Sequence, residues 1–452
     1  MSPHSIGTKT LSTKLDRIES RSRRDRGTVF NNLGYLIDLA LLRECYRCLD
    51  GNKAVGIDGV SKEEYGKNLE SNLQEILLKI RRGSYHPKAS RIVEIPKISG
   101  GKRPLAISCF EDKIVQEAVK RIVERIFEPL FTDNSYGFRP KRNCHTAIAA
   151  LDGYLRKWEC GAVLEIDLQK YFNSIPHEPL IGMLRGKISD ERFLHLIIKM
   201  LKAPTLNEAG IEQRNEIGSP QGSILSPVIS NIYLHYVLDT WFDWVNESHF
   251  GGSAHLVRYA DDAVFTFRSI SDAERFKRGL VKRLDKYGIK LHEGKTAALP
   301  CGKREAERCE KLGLQMRTFT FLGFLHVWGI SVNKKGQRFW RVKRRTCPKR
   351  FKSKLSEMKT YIRKHRHKKD LIANITRATQ GYLNYFAIMD NGRRITQFIY
   401  EVRRLLFKWM NRRSQKRSYN WTRFDRMLQK ERFPKPRILK NPFFTSKPQV
   451  CR

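Results

Sequence analysis

Residues 256–267 read LVRYADDAVFTF, two short apolar runs around a pair of adjacent acids. Runs of this kind around a short polar centre predict a tight β-hairpin with Asp261 and Asp262 at its turn. Aspartate is also common in ordinary surface turns. A solvated turn needs no apolar residues on both sides, so the flanks favour a partly buried and functional pair of acids.

The acids of this hairpin predict a metal site. Two like charges in apolar surroundings raise each other's pKa unless a cation neutralises them. A third acid, Asp167, ends another apolar run at residues 162–167, which we predict to be a buried strand. Carboxylates suit Mg²⁺, which takes few protein oxygens and prefers substrate phosphates for its other ligands. The three acids together therefore predict a site for two divalent ions.

The regions around these acids mix strands and helices. Residues 91–107 predict a second hairpin, with basic residues near its turn at 99–102. Apolar residues recur at three-to-four spacing in residues 69–80, 114–126 and 276–284, which predicts amphipathic helices. The strands and helices do not alternate regularly, so we expect an α+β fold and not a doubly wound sheet.

Positive charge is concentrated toward the C-terminal end. The 452 residues carry a formal net charge of +41, and residues 334–452 alone carry +30, from 36 lysines and arginines against 6 acids. Such an excess favours a polyanionic partner, either nucleic acid or a membrane surface. No apolar run is long enough to span a bilayer. Aromatic residues stay frequent in the basic region, so we predict that it folds, whereas we expect the polar residues 1–26 to be mobile.

Six motifs occur in the order found in reverse transcriptases, and the chain resembles that family over residues 30–440. YADD at 259–262 resembles the catalytic box, and IDLQKYF at 166–172 resembles the first aspartate motif. The other segments are IPK to RPL at 95–105, SYGFRP at 135–140, GSPQGSILSP at 218–227, KT at 295–296 and FLGF at 321–324.

Within that family the chain resembles the bacterial group II intron reverse transcriptases, or maturases. SYGFRP is typical of them, and GIDG at 56–59 resembles a loop of their N-terminal extension that contacts template or intron RNA. GYLNYF at 381–386 and WMNRRSQ at 409–415 resemble their thumb and maturase region. Leu168 and Tyr171 replace a usual Ile and Phe, which are mild departures.

The resemblance implies a right-hand polymerase. We expect a helical N-terminal extension at residues 1–88, fingers and palm at 89–330, and a basic helical thumb or maturase (X) domain at 331–452. Many members of the family also carry a C-terminal HNH-type endonuclease with cysteine pairs. Residues 425–452 are too short for that domain, so we expect no endonuclease domain and no strand cleavage.

The resemblance also assigns roles at the metal site. Asp167, Asp261 and Asp262 would be the catalytic and metal-binding acids, and the backbone carbonyl of Leu168 would be a further ligand. The cofactor would be two Mg²⁺ ions per site, with Mn²⁺ as the alternative ion.

Five further residues would bind the nucleotide. Arg103, with Lys97, would grip the triphosphate, because a forked guanidinium fits phosphate well. Gln221 would contact the incoming nucleotide, and Lys295 would protonate the leaving pyrophosphate. Phe172 stands where the family has a bulky gate against the ribose 2′-OH. Each has an ordinary alternative: a solvated basic face for the cations, a plain turn around Gln221, and a core position for Phe172.

Other basic residues would contact nucleic acid. Arg139 would organise the fingers or touch the template. One predicted tail helix places Phe398 and Trp409 in the core and turns basic residues outward, where they would neutralise phosphates without recognising sequence. These residues are Arg403, Arg404, Lys408, Arg412 and Arg413.

The resemblance implies an RNA-directed DNA polymerase that adds dNTPs to a primer 3′ end. The partners would be an RNA template and primer, a structured group II intron RNA and target DNA, with no membrane. The nine irregularly spaced cysteines favour a reducing compartment, and we expect a bacterial cytoplasmic protein. The alternatives are a splicing cofactor with little polymerase activity, a domesticated enzyme of phage defence or DNA repair, and an RNA-dependent RNA polymerase.

Overall fold

The computed structural model describes residues 4–96, 100–156, 161–207, 210–412 and 419–441, with side chains from residue 13 onward. The chain divides into two compact units. The first consists of residues 1–143, 164–267 and 271–298, and the second of residues 144–163, 268–270 and 299–452. The fold is α+β, as the irregular order of strands and helices predicts.

The helices of the described residues, in chain order, are α1 (His4–Arg24), α2 (Leu39–Cys48), α3 (Lys62–Gly66), α4 (Leu69–Arg81), α5 (Phe110–Phe127), α6 (Cys144–Arg156), α7 (Tyr171–Ser174), α8 (His177–Arg185), α9 (Glu191–Leu201), α10 (Ser226–Leu234), α11 (Thr240–Phe250), α12 (Ile270–Lys286), α13 (Lys303–Lys311), α14 (Pro348–His365), α15 (Leu371–Phe386), α16 (Gly392–Met410) and α17 (Trp421–Lys430). A π-helical turn, His235–Asp239, joins α10 to α11.

The strands of the described residues are β1 (Ser90–Pro96), β2 (Lys102–Ile107), β3 (Gly161–Ile166), β4 (Thr205–Leu206), β5 (Glu212–Gln213), β6 (His255–Tyr259), β7 (Asp262–Phe267), β8 (Ala297–Cys301), β9 (Phe319–Phe321), β10 (Phe324–Val332) and β11 (Arg338–Thr346). They form three sheets, with strand orders β2-β1-β4-β5, β6-β7-β3-β8 and β11-β10-β9.

Helix α1 corrects the expectation that residues 1–26 are mobile. Leu15 and Ser22 are buried, and the Ser22 hydroxyl donates to the carbonyl of Ile126 on α5. Arg125 of α5 forms ion pairs with Glu19 and with Asp16 of α1. The polar composition of this segment concealed an apolar contact and long-range ion pairs, which hold the helix against α5.

Both predicted hairpins are present. Strands β1 and β2 pair antiparallel from Arg91 with Ile107 to Pro96 with Lys102, as the alternating run at 91–107 predicted. Strands β6 and β7 pair antiparallel from His255 with Thr266 to Tyr259 with Asp262. Strand β3, the third predicted strand, is buried along almost all of its length, because its two neighbours β7 and β8 cover it on both edges.

The second unit combines the basic helices α14 to α17 with the long β10–β11 hairpin. Its core includes a fully buried Arg344, which forms ion pairs with Asp152 of α6 and with Asp390. On α16, Phe398, Val402 and Leu406 are buried, which confirms the core side predicted for this helix. Among the described residues, no helix is long and apolar enough to cross a membrane.

Candidate active site

The turn between β6 and β7 carries the paired acids. Tyr259 and Asp262 form the last pair of the hairpin, so Ala260 and Asp261 make the turn itself. Ala260 has φ of 57°, in the left-handed region that costs a residue with a Cβ about 1–2 kcal/mol. Strain of this kind persists only where the surroundings hold the backbone in place, and it is concentrated at functional sites.

A loop from the SYGFRP motif lies along β6 and supports this turn. The backbone N–H of Tyr136 donates to the Arg258 carbonyl, and the Arg258 N–H donates to the Asn134 carbonyl, each at 2.8 Å. Gly137 follows, and a Cβ at this position would lie 2.5 Å from the backbone nitrogen of Ala260. The motif therefore requires glycine because the loop backbone touches the turn.

Asp167 follows directly after β3 and is fixed by a neighbouring chain segment. Its carbonyl accepts from the His292 N–H at 2.8 Å, and the Gln169 N–H donates to the Lys290 carbonyl at 2.8 Å. These bonds flank a bridge between Leu168 and Leu291 and leave the Leu168 carbonyl outside that bridge. The ammonium of Lys295, in the same segment, lies 2.5 Å from the Asp167 carboxylate.

The electrostatics of the site favour a bound cation. The pKa of Asp261 is raised, first by burial and further by the charge of Asp167, while its own backbone N–H and Arg103 act in the opposite direction. Two coupled carboxylates with only oxygen ligands fit a hard divalent ion such as Mg²⁺. A cation at this position would remove the repulsion between the two acids.

The three predicted acids are not brought together equally. Asp261 and Asp167 interact, whereas Asp262 begins β7 and is exposed. Within the parts of the chain that the structure describes, no group of three or more histidines, cysteines, aspartates or glutamates stands ready to hold a metal. The Leu168 carbonyl and substrate phosphates are the ligands that remain for completing the shell around these acids.

Three side chains form a hydrogen-bonded chain beside these acids. Arg103 of β2 donates from Nε to the Gln221 Oε1 at 2.8 Å, and Gln221 donates from Nε2 to the Asn173 Oδ1 at 3.1 Å. The Gln221 carbonyl also accepts from the Ala106 N–H at 2.6 Å. Gly222 has φ of 113°, and a Cβ there would overlap the Ala106 carbonyl, so the PQG loop is seated against β2.

Phe172 lies on α7 between the first aspartate motif and the PQG loop. Its side chain is buried, and its carbonyl accepts from the Ser219 N–H at 2.7 Å. This position agrees with both predicted roles, since a residue packed at the edge of the site can also limit the space beside it. Lys97, the second cation predicted for the triphosphate, lies outside the described residues.

Arg139 has a different role from the one predicted. Its side chain is 4% exposed and pairs with Glu128, and its Nη1 donates to the carbonyls of Thr132 and Ser135 at 2.5 and 2.9 Å. The prediction that Arg139 binds nucleic acid is wrong, because these contacts consume its donors inside the protein. It organises the loop that leads to Gly137 instead.

The predicted basic residues of the second unit are divided among several contacts. Arg403 pairs with Asp425 at 2.5 Å, and Arg404 pairs with Glu401 at 3.4 Å. Lys408 and Arg412 are exposed and lie over the ring of Trp409 at 6.0 and 5.6 Å from its centroid. Trp409 is only partly buried, so its predicted core position is only partly met. Arg413 lies outside the described residues.

Sequence reasoning missed Asn173 and Gly137. Asn173 is the residue after Phe172, within reach of a motif already identified, but nothing local indicates that it meets Gln221. Gly137 stands inside a motif whose glycine could have suggested a close backbone approach. The partners of both residues are distant in sequence, and only the folded chain brings them together.

The fold and the site together define a class of protein, the nucleic-acid polymerases of the reverse-transcriptase type. The sequence profile of the reverse transcriptase (RNA-dependent DNA polymerase) family matches residues 95–326, about half of the chain. The chain belongs to this family. The matched range contains Arg103, Asp167, Gln221 and Asp261, which the structure groups around one site.

Individual relatives place the chain beside intron-encoded proteins. It is 38% identical over 226 residues to the group II intron-encoded protein LtrA of Lactococcus lactis subsp. cremoris, covering 49% of this chain and 37% of that protein. It is 36% identical over 230 residues to an uncharacterized 91 kDa protein in the cob intron of Schizosaccharomyces pombe, covering 50% and 28%. Protein YkfC of Escherichia coli K12 is 35% identical over 233 residues, covering 50% and 59%. In each case the match spans less than two thirds of the relative.

Proposed function

We propose that this chain is an RNA-directed DNA polymerase that adds dNTPs to a primer 3′ end. One observation carries the proposal: segments far apart in sequence place coupled acids, Asp167 and Asp261, beside the bonded pair of Arg103 and Gln221. The acids suit divalent ions, and the guanidinium suits a triphosphate. This arrangement is what template-directed nucleotide addition requires.

The proposal assigns a task to each group of the site. Asp167, Asp261 and the Leu168 carbonyl would hold two Mg²⁺ ions, with Asp262 completing the acidic cluster; the ions would supply activation of the primer oxygen and charge for the leaving pyrophosphate. Arg103 would bind the triphosphate, and Gln221, oriented by Arg103 and Asn173, would face the nucleotide. Phe172 would exclude the 2′-OH, and Lys295 would transfer a proton to pyrophosphate.

The division of the chain follows from these tasks. We assign the β2-β1-β4-β5 sheet to the fingers and the β6-β7-β3-β8 sheet to the palm. The helices before β1 would form the N-terminal extension, and the basic helices α14 to α17 the thumb or maturase domain. The two compact units observed do not coincide with these three parts, since α6 belongs to the second unit.

Primer extension tests the polymerase. Wild-type protein should extend a DNA primer on an RNA template with dNTPs and Mg²⁺. Asp261→Asn, which keeps the size of the side chain and removes its charge, should show no extension above background while retaining its thermal unfolding temperature. A folded wild type that binds RNA and does not extend the primer would contradict the proposal. Efficient use of rNTPs would contradict the role of Phe172 and favour an RNA polymerase.

A second function, assistance of group II intron splicing, rests on the charge of the C-terminal region. Residues 334–452 carry a net charge of +30, which favours binding to a structured polyanion. The similarity to an intron-encoded protein supports the same conclusion. Asp261→Asn should retain splicing activity on a cognate intron. Loss of both activities in this folded variant would contradict two separable functions, and flanking DNA without an intron would favour a domesticated enzyme.

A further inference from the structure

Arg258 lies on β6, two residues before the turn, and its side chain is fully buried. Its guanidinium makes two parallel bonds to Asp239, from Nε to Oδ1 at 2.7 Å and from Nη2 to Oδ2 at 2.5 Å. Asp239 is also fully buried and ends the π-helical turn between α10 and α11. Two bonds of this kind fix the plane of the guanidinium as well as its position.

The remaining nitrogen of this guanidinium faces the catalytic turn. Nη1 of Arg258 donates to the Ala260 carbonyl at 3.1 Å and to the Asn231 Oδ1 at 3.0 Å. Asn231 in turn donates from Nδ2 to the Gly137 carbonyl at 2.7 Å. Since Gly137 touches the backbone nitrogen of Ala260, the same network holds the turn at both of its peptide groups.

Stability alone is a poor explanation for this network. Buried ion pairs are frequently no more stabilising than apolar residues of similar volume, because both charges lose their hydration. The turn, by contrast, contains an alanine in the left-handed region, a conformation that needs fixed partners. π-Helical turns are also frequent at functional sites, and this one supplies Asp239.

We propose that Arg258 is a positioning residue of the polymerase site. Asp239 and Asn231 orient its guanidinium, which holds the Ala260 carbonyl and thereby fixes the carboxylate of Asp261 for metal binding. Arg258 touches neither substrate nor metal in this role. The inference rests on the proposed polymerase function and names the part of the fold that keeps its acidic turn in place.

The test replaces the whole ion pair, so that no buried charge is left without its partner. Arg258→Met combined with Asp239→Leu should unfold near the wild-type temperature. Binding of Mn²⁺ to the protein without nucleic acid, followed by electron paramagnetic resonance, should weaken about tenfold, and kcat of primer extension should fall about 10²-fold, because small displacements of a reacting group are this costly. The KM for dNTP should change little. Wild-type Mn²⁺ affinity in the folded double variant would overturn the proposal.

Two further variants keep the test decisive. If the double variant does not fold, Arg258→Lys keeps a charge beside Asp239 but loses the planar fork, and it should show the same weakening of Mn²⁺ binding; unchanged affinity would overturn the proposal. As a matched control, Arg344→Met with Asp152→Leu removes a buried arginine–aspartate pair of the second unit and should leave Mn²⁺ affinity unchanged. A wild type without primer extension would refute the proposed function, whereas Mn²⁺ binding would still decide the role of Arg258.

Discussion

Replacing Gly137 with alanine should impair catalysis with little effect on folding. The added Cβ would lie 2.5 Å from the Ala260 nitrogen and 3.0 Å from the Tyr259 carbonyl carbon, whereas ordinary contact begins at 3.4 Å. The loop and the turn must therefore separate by about 0.9 Å to relieve the closer contact, and a displacement near 1 Å costs about 10²-fold in rate. That factor corresponds to about 2.7 kcal/mol of transition-state stabilisation.

Steady-state primer extension and thermal unfolding measure the two sides of this prediction. The matched control is Gly182→Ala inside α8, where nothing lies within 4 Å of the added Cβ. It should keep full activity and gain up to about 1 kcal/mol of stability from helix propensity. In Gly137→Ala, kcat should fall and the unfolding temperature should change by only a few degrees.

A folded Gly137→Ala variant with kcat within about threefold of wild type, well short of the 10²-fold expected from a 1 Å shift, would refute this reasoning. The loop would then move away without displacing Asp261. An equal loss of activity in Gly182→Ala would show that the assay responds to any alanine introduced in the first unit. The pair of variants therefore separates contact with the turn from a general effect of the substitution.

Two further predictions concern charged groups. Lys295→Met should tighten Mn²⁺ binding to the nucleic-acid-free protein by about two- to fivefold, because a partly exposed ion pair with Asp167 contributes up to about 1 kcal/mol, and it should slow extension if the ammonium also donates a proton; unchanged affinity would show that Lys295 does not compete for Asp167. The pKa of Asp112 is raised from 3.8 to about 6, chiefly by burial, although the Tyr85 hydroxyl and the Lys88 N–H bond to its carboxylate. The folded chain therefore holds this proton longer than the unfolded chain, and stability falls as pH rises from 3.8 to about 6. Asp112→Asn should lose less stability than wild type over that range in urea unfolding, and parallel curves for the two proteins would contradict the assignment.

The sequence by itself determined the local elements and the chemistry of the acids. Alternating apolar residues specified both hairpins, since period two matches a half-buried strand. Three-to-four spacing specified α4 and α5, and their observed bounds contain the predicted runs. The motif order was enough to assign the family, because each motif depends on residues adjacent in sequence.

Only the tertiary structure decided which of the candidate side chains act together. Asp261 turns toward Asp167 while its neighbour Asp262 is exposed, and Arg139 is consumed inside the protein by Glu128. Arg103 and Gln221 are 118 residues apart and still share a hydrogen bond. Local periodicity predicts which face of an element is buried, but the partner across that face is set by packing between distant segments. For the same reason the buried network behind Ala260 could not be read from the sequence.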